Sequence, residues 1–206
     1  GIHAREWLSP ASNAYLLNKV LQKSQNDTVV RALLQHFTLY FLINANDDGY
    51  DFTFNRHQSF KSCIHRRSAR LWRKTRRPYG NHIGADPNRN FDSGSYSVRG
   101  NRNPCSGSYT GPFPFSENCV INVANFMSRL KHEKGIPWML TWSIHSYGKL
   151  WLLPGSTEEM TVFNEKERTE QMFVAQEAVK GMVRHGGNQV RYYDRSKWRI
   201  GTVQKL

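Results

Sequence analysis

The stretch WMLTWSIHSYGKLWLL, residues 138–153, carries the alternation that decides the fold. WMLTWSI (138–144) is a continuous apolar run of strand length, the pattern of a strand covered on both faces. KLWLL (149–153) is a second strand candidate, and His145 stands just past the end of the first. Working outward, Ser116 is a candidate cap for a preceding helix carrying Val120, Val123, Met127 and Leu130, stopped at Gly135. A long amphipathic helix from about Glu158 to Arg184 follows, closed by Gly186-Gly187, and then a weaker strand, QVRYY (189–193). The N-terminal part has the same rhythm. Ser9-Pro10 reads as an N-cap with proline in the first turn, ahead of Ala14, Leu17, Val20 and Leu21 at helical spacing. Asp27 caps a second helix with Val30, Leu33, Leu34 and Phe37 as its buried face, and LYFLI (39–43) is another apolar strand candidate ending in the turn signal NANDDGY (44–50). Strands alternating with helices predict an α/β fold, a mixed and mostly parallel sheet with helices on both faces. From Asp51 to Asn103 there is little periodicity, and an irregular region that long in a compact domain is usually functional or disordered.

Composition narrows the classes. With 206 residues, 38% hydrophobic and 13% aromatic, the chain fits one globular domain with a real core. No apolar run reaches the roughly 18–20 residues of a bilayer span. The net charge is +13, with Lys61, Arg66, Arg67, Arg70, Arg73, Lys74, Arg76 and Arg77 falling in one stretch. Such charge is ordinarily a solvated face; a polyanion contact through Lys61–Arg77 is a minor alternative, and a dedicated nucleic-acid site is not expected. Three cysteines allow at most one disulfide, and the lack of a CxxC excludes a zinc ribbon.

The chemistry-bearing residues are individually weak signals. His3 and Glu6, three apart in GIHAREW, can supply two metal ligands from one turn, although the first residues of a chain usually fray. A catalytic zinc takes three protein ligands, often two His and a carboxylate, and leaves a fourth position open. His145, at a strand end, is the natural third. RLWRKTR (70–76) and PNRNF (87–91) place Arg70, Arg73, Asn88 and Arg89 in the irregular region, where a guanidinium cluster suits an anionic ligand.

Taken in order, HAREW, DGY, RLWRK, GADPNRNFD, NPC and SIHSYG resemble the zinc metallocarboxypeptidases of the pancreatic carboxypeptidase A/B type, from Gly1 to about Pro154 and more faintly to Leu206. The resemblance implies a partial catalytic domain over 1–206, truncated at both ends, because the family's HxxE follows its first strands. It implies one Zn2+ held by His3, Glu6 and His145, with Arg73 stabilising the oxyanion. Asn88 and Arg89 would grip the substrate's terminal carboxylate, Arg5 and Arg70 would line the neighbouring subsite, and Tyr147 would wall the groove. The implied activity is removal of C-terminal residues from peptides and proteins, in a secreted protein.

The departures matter as much. The family's general-base Glu and its specificity residue match nothing in this chain, so preference for basic or apolar C-terminal residues is not legible. A catalytically inactive relative that keeps zinc or substrate binding therefore stands as the alternative. NRHQSFKSCIHRRSA (55–69) is mostly extra, an apparent insertion. Cys105 matches a family disulfide cysteine, but the usual partner position reads Asn81-His82-Ile83; Cys63 is the other candidate.

Overall fold

The computed structural model describes residues 1–55, 59–62, 65–92, 100–153, 164–184, 191–194 and 199–202. It divides into two compact units, Gly1–Ser146 and Tyr147–Leu206.

The first unit opens with α1 (Leu8–Lys23) and α2 (Thr28–His36). The α1 helix starts one residue before the expected cap: Trp7 holds the N-cap position without a side-chain bond, and Ser9 is buried in the first turn. In α2 the expected cap is present, Asp27 accepting from the amides of Val29 and Val30. Its expected buried face is not: Leu33, Leu34 and Phe37 are all exposed. Amphipathic spacing says that a face is suited to burial, not what lies over it.

The turn signal at 44–50 becomes the short helix α3 (Asp47–Phe52), capped by Asn46, whose side chain accepts from Gly49 N. The irregular region resolves into two small antiparallel hairpins. One pairs β1 (Ser59–Ser62) with β2 (His65–Ser68) inside the apparent insertion; the other pairs β3 (Pro78–Tyr79) with β4 (His82–Ile83). Single 3-10 turns at Ala69–Leu71 and Pro87–Arg89 punctuate it. The helix α4 (Asn118–His132) follows, with Glu117 rather than Ser116 at the N-cap position, and Gly135 takes the positive φ of +64° that ends such helices.

Two expected strands have no ladder among the described residues: 39–43 and 138–144 carry none, and Leu42, Met139 and Trp142 are exposed. An apolar run supplies only half of a strand, since the ladder needs a neighbour to pair with. Tyr40 does pack edge-on to Phe126 of α4 at 5.5 Å and against Trp138 at 5.7 Å, and the Trp138 indole donates to Met127 O.

The second unit holds β5 (Leu150–Leu152), α5 (Glu165–Arg184), β6 (Arg191–Asp194) and β7 (Arg199–Thr202). Here the strand and helix expectations are met. The sheet is mixed, β5–β6 parallel and β6–β7 antiparallel, and α5 supplies the crossover that a parallel pair requires. Ala175 and Val179, four apart, are its buried residues. The expected start of this helix, 158–163, lies outside the described residues.

Candidate metal centre

Residues 1–6 do not fray, because their backbone is tied down. Ala4 N donates to Arg73 O, Asn46 N donates to Gly1 O, and the Asn46 amide donates to both Ile2 O and Lys74 O. These bonds hold the opening residues against 44–46 and 73–74. A tight turn, Glu6 N to His3 O, then folds Glu6 back over His3, and both side chains are buried.

Asp86 organises what surrounds them. As the Asp of Asp-Pro-Asn-Arg it caps the 3-10 turn, Oδ1 accepting from Asn88 N, with Pro87 at the first position where a missing N–H costs nothing. The same carboxylate lies 3.0 Å from His3 Nε2 through Oδ1, and accepts Arg73 Nη2 at 2.8 Å and Nε at 3.1 Å through Oδ2. Two guanidinium N–H groups thus converge on one carboxylate oxygen, a charge-assisted contact. Asp86 is fully buried; burial alone would raise its pKa, but His3 and Arg73 outweigh that and hold it below the usual carboxylate range.

His145 completes the cluster from the end of 138–144. Its Nδ1 lies 3.1 Å from His3 Nδ1 and 3.0 Å from Glu6 Oε2, while Glu6 Oε1 is 2.9 Å from His3 Nδ1. Burial pushes the Glu6 carboxyl upward, yet the adjoining His145 and His3 rings and the Ser146 N–H hold it well below its ordinary value. Arg73 Nη1 donates to His3 Nδ1 at 3.1 Å and to Glu6 Oε1 at 3.3 Å. A guanidinium only donates, so His3 Nδ1 accepts and the ring's proton sits on Nε2, facing Asp86. His3 Nδ1 and the Glu6 oxygens are then lone pairs aimed at a common point. Such a set is suited to a cation, and the ligand atoms of the three residues all lie within 4.8 Å of one another. Two imidazole nitrogens and a carboxylate suit zinc in a tetrahedron with one open position, whose ligand atoms stand roughly 3.3 Å apart.

Asn88 Nδ2 is 3.4 Å from His145 Nε2; Arg89 is exposed, with Nη1 donating to Asn88 O. Arg5 is half-buried, and its carbonyl accepts from Arg70 Nη1 at 2.7 Å. The Arg70 guanidinium lies over the Trp7 ring at 3.9 Å, and that ring stacks on Phe54 at 4.3 Å. Tyr147 opens the second unit and is wholly exposed. Asp86 was not singled out from the sequence; its signal was the Asp-Pro pair in GADPNRNF, which marks a turn cap but not its tertiary partners.

A second polar cluster gathers around Glu117. Glu117, 1% exposed, accepts from the hydroxyls of Thr75, Tyr79 and Ser116, and its N–H donates to Asn90 Oδ1. The Asn90 amide in turn donates to Thr110 O, Phe113 O and Ser116 Oγ. Gly111, at φ +89°, has to be glycine: a Cβ would stand 2.7 Å from the Asn90 amide nitrogen.

Much of the basic stretch is committed internally. Lys74 donates to Pro104 O, Arg77 donates to Ser116 O, and Arg76 lies between Phe52 and Trp72 at 3.7 and 4.6 Å. Cys105 is disulfide-bonded and Cys119 is free; Cys63 lies outside the described residues.

Comparison with known proteins agrees with this geometry. The zinc carboxypeptidase family model matches residues 1–203. Zinc carboxypeptidase A 1 of Anopheles gambiae is 39% identical over 194 residues, covering 93% of this chain and 40% of that protein. Carboxypeptidase B of Astacus astacus is 36% identical over 164 residues, covering 78% and 48% respectively. Among solved structures, bovine thrombin-activatable fibrinolysis inhibitor in complex with tick carboxypeptidase inhibitor is similar at a TM-score of 0.75 and 31% identity, covering 94% of this chain and 58% of that one. The chain thus spans less than half the length of these two curated relatives, in an α/β fold shared with the solved structure. From its first residues through residue 203, this chain belongs to the zinc carboxypeptidase family.

Proposed function

We propose that the chain forms the zinc-binding part of a metallocarboxypeptidase that hydrolyses the last peptide bond of peptides and proteins. The observation that carries this is the convergence of His3 Nδ1, Glu6 and His145 Nδ1 on one point, with Arg73 and Asn88 at its edge. Zinc held there supplies Lewis-acid polarisation of a carbonyl and brings the pKa of water toward about 7. The chain's own residues do the rest. Asp86 fixes His3 and anchors Arg73 by two of its N–H groups, so the guanidinium stays beside the ligands as a fixed positive charge for a developing oxyanion. Asn88 and Arg89, set side by side by the capped turn, take the substrate's free carboxylate and so measure one residue from the metal; an endopeptidase has no use for such a clamp. Arg5 and Arg70 extend the cationic lining, and Tyr147 contributes an aromatic wall.

No helix among the described residues is long and apolar enough to cross a membrane; secretion is the location this reading carries with it. Residues 55–69 are read as an inserted hairpin. Any polyanion contact falls to its positions Lys61, Arg66 and Arg67, since Arg70, Arg73, Lys74, Arg76 and Arg77 are engaged inside the protein.

The test is zinc stoichiometry joined to an assay of free C-terminal residues. One zinc per chain by atomic absorption, lost in His145→Ala, is expected, and the protein from its natural source is expected to cleave a peptide acid but not its C-terminal amide. Zinc without cleavage would favour the non-catalytic alternative. Unchanged zinc in His145→Ala would remove the metal assignment.

A further inference from the structure

Resting on the metal reading above, we propose that Ser143 is the positioning residue of His145: its hydroxyl holds the imidazole in the tautomer that leaves Nδ1 free to ligate. The two histidines of the centre are supported unequally. His3 is 3% exposed and meets a carboxylate, Asp86, at Nε2; that partner is acceptor-only when ionised and fixes the proton there. His145 is more open and, among the described residues, meets no carboxylate at Nε2. Its neighbours on that nitrogen are Ser143 Oγ at 3.1 Å and Asn88 Nδ2 at 3.4 Å.

A neutral imidazole carries one proton, so the choice of nitrogen decides whether the ring can bind metal through Nδ1. Other neighbours pull the wrong way. Glu6 Oε2, 3.0 Å from Nδ1, attracts the proton to the ligating nitrogen, and the Asn88 amide nitrogen offers only hydrogens, which favours a bare Nε2. Ser143 Oγ is the neighbour with lone pairs to accept Nε2–H. It stands two residues before His145, the spacing that puts side chains of an extended backbone on one side. Serine is exposed here, so its loss opens no cavity. Without it the neighbours left among the described residues, Glu6, His3 and Asn88, favour the non-ligating form.

The experiment loads the 206-residue chain with Co2+ and records proton NMR in water, where the N–H protons of metal-bound imidazoles are shifted clear of the remaining signals. The parent chain is expected to show two such exchangeable signals, one for each ring. In Ser143→Ala one is expected to vanish into solvent exchange while the Asp86-held signal of His3 persists, zinc affinity in chelator competition falling about 10-fold. Ser143→Thr, which keeps the hydroxyl, is expected to restore both. Persistence of both signals in Ser143→Ala overturns the role of Ser143 and leaves the metal centre standing. A parent chain that binds no cobalt overturns the metal centre itself, and the assignment with it.

Discussion

The polar centre of the Gly1–Ser146 unit and the apolar runs at 39–43 and 138–144 are opposite in how they are satisfied. Asp86, Asn90 and Glu117 are at most 1% exposed, and each meets several partners within the chain. Leu42, Met139 and Trp142 are more than half exposed. The difference teaches what each kind of group requires. A buried carboxylate or amide needs a few donors and acceptors at fixed positions, and a handful of turns can supply them. An apolar strand needs area and a neighbouring ladder, which local sequence does not provide.

That contrast breaks most sharply at Asp86. Asp86→Ala removes the buried countercharge of Arg73 and the partner of His3, and is expected to cost about 3–5 kcal/mol in urea unfolding. A loss below about 1 kcal/mol would mean that the polar centre is not self-supporting. Asn46→Ala comes next. It removes the cap of α3 and the donors to Ile2 O and Lys74 O, for an expected loss of about 2–3 kcal/mol and faster amide exchange at residues 1–6.

Lys74 sharpens the comparison through pH, because it is a buried ammonium whose desolvation outweighs the attraction of nearby carboxylates. Burial lowers its pKa to about 8, against the opposing attraction of Glu117 and Asp86. In the unfolded chain the ammonium keeps its proton to about 10.5, so between these values the unfolded state binds more protons and stability rises with pH. The rise is expected to be about 3 kcal/mol, and Lys74→Met should abolish it and stabilise the protein near neutrality. A profile that is flat or falls in the parent would remove this account. The smallest effect tests the apolar side: Met139 should convert to its sulfoxide before Met127 under mild peroxide, as its exposure directs. Protection of Met139 would show that 138–144 is covered.

The sequence by itself determined the elements that local chemistry dictates. The cap at Asp27, the stop at Gly135, the strands at 150–152 and 191–194 and the long helix between them were all legible, because periodicity and turn residues act over a few positions. The ordered motifs also identified His3, Glu6, His145, Arg73 and Asn88 as one constellation. Tertiary structure decided the rest. Only the fold brings residue 145 within 3.1 Å of residue 3 and sets Asp86 against both His3 and Arg73. Only the fold leaves the runs at 39–43 and 138–144 without a ladder among the described residues. Capping and periodicity are properties of neighbours in sequence. Ligand convergence, second partners and strand pairing are properties of residues tens of positions apart, and no single stretch contains both sides of such a contact.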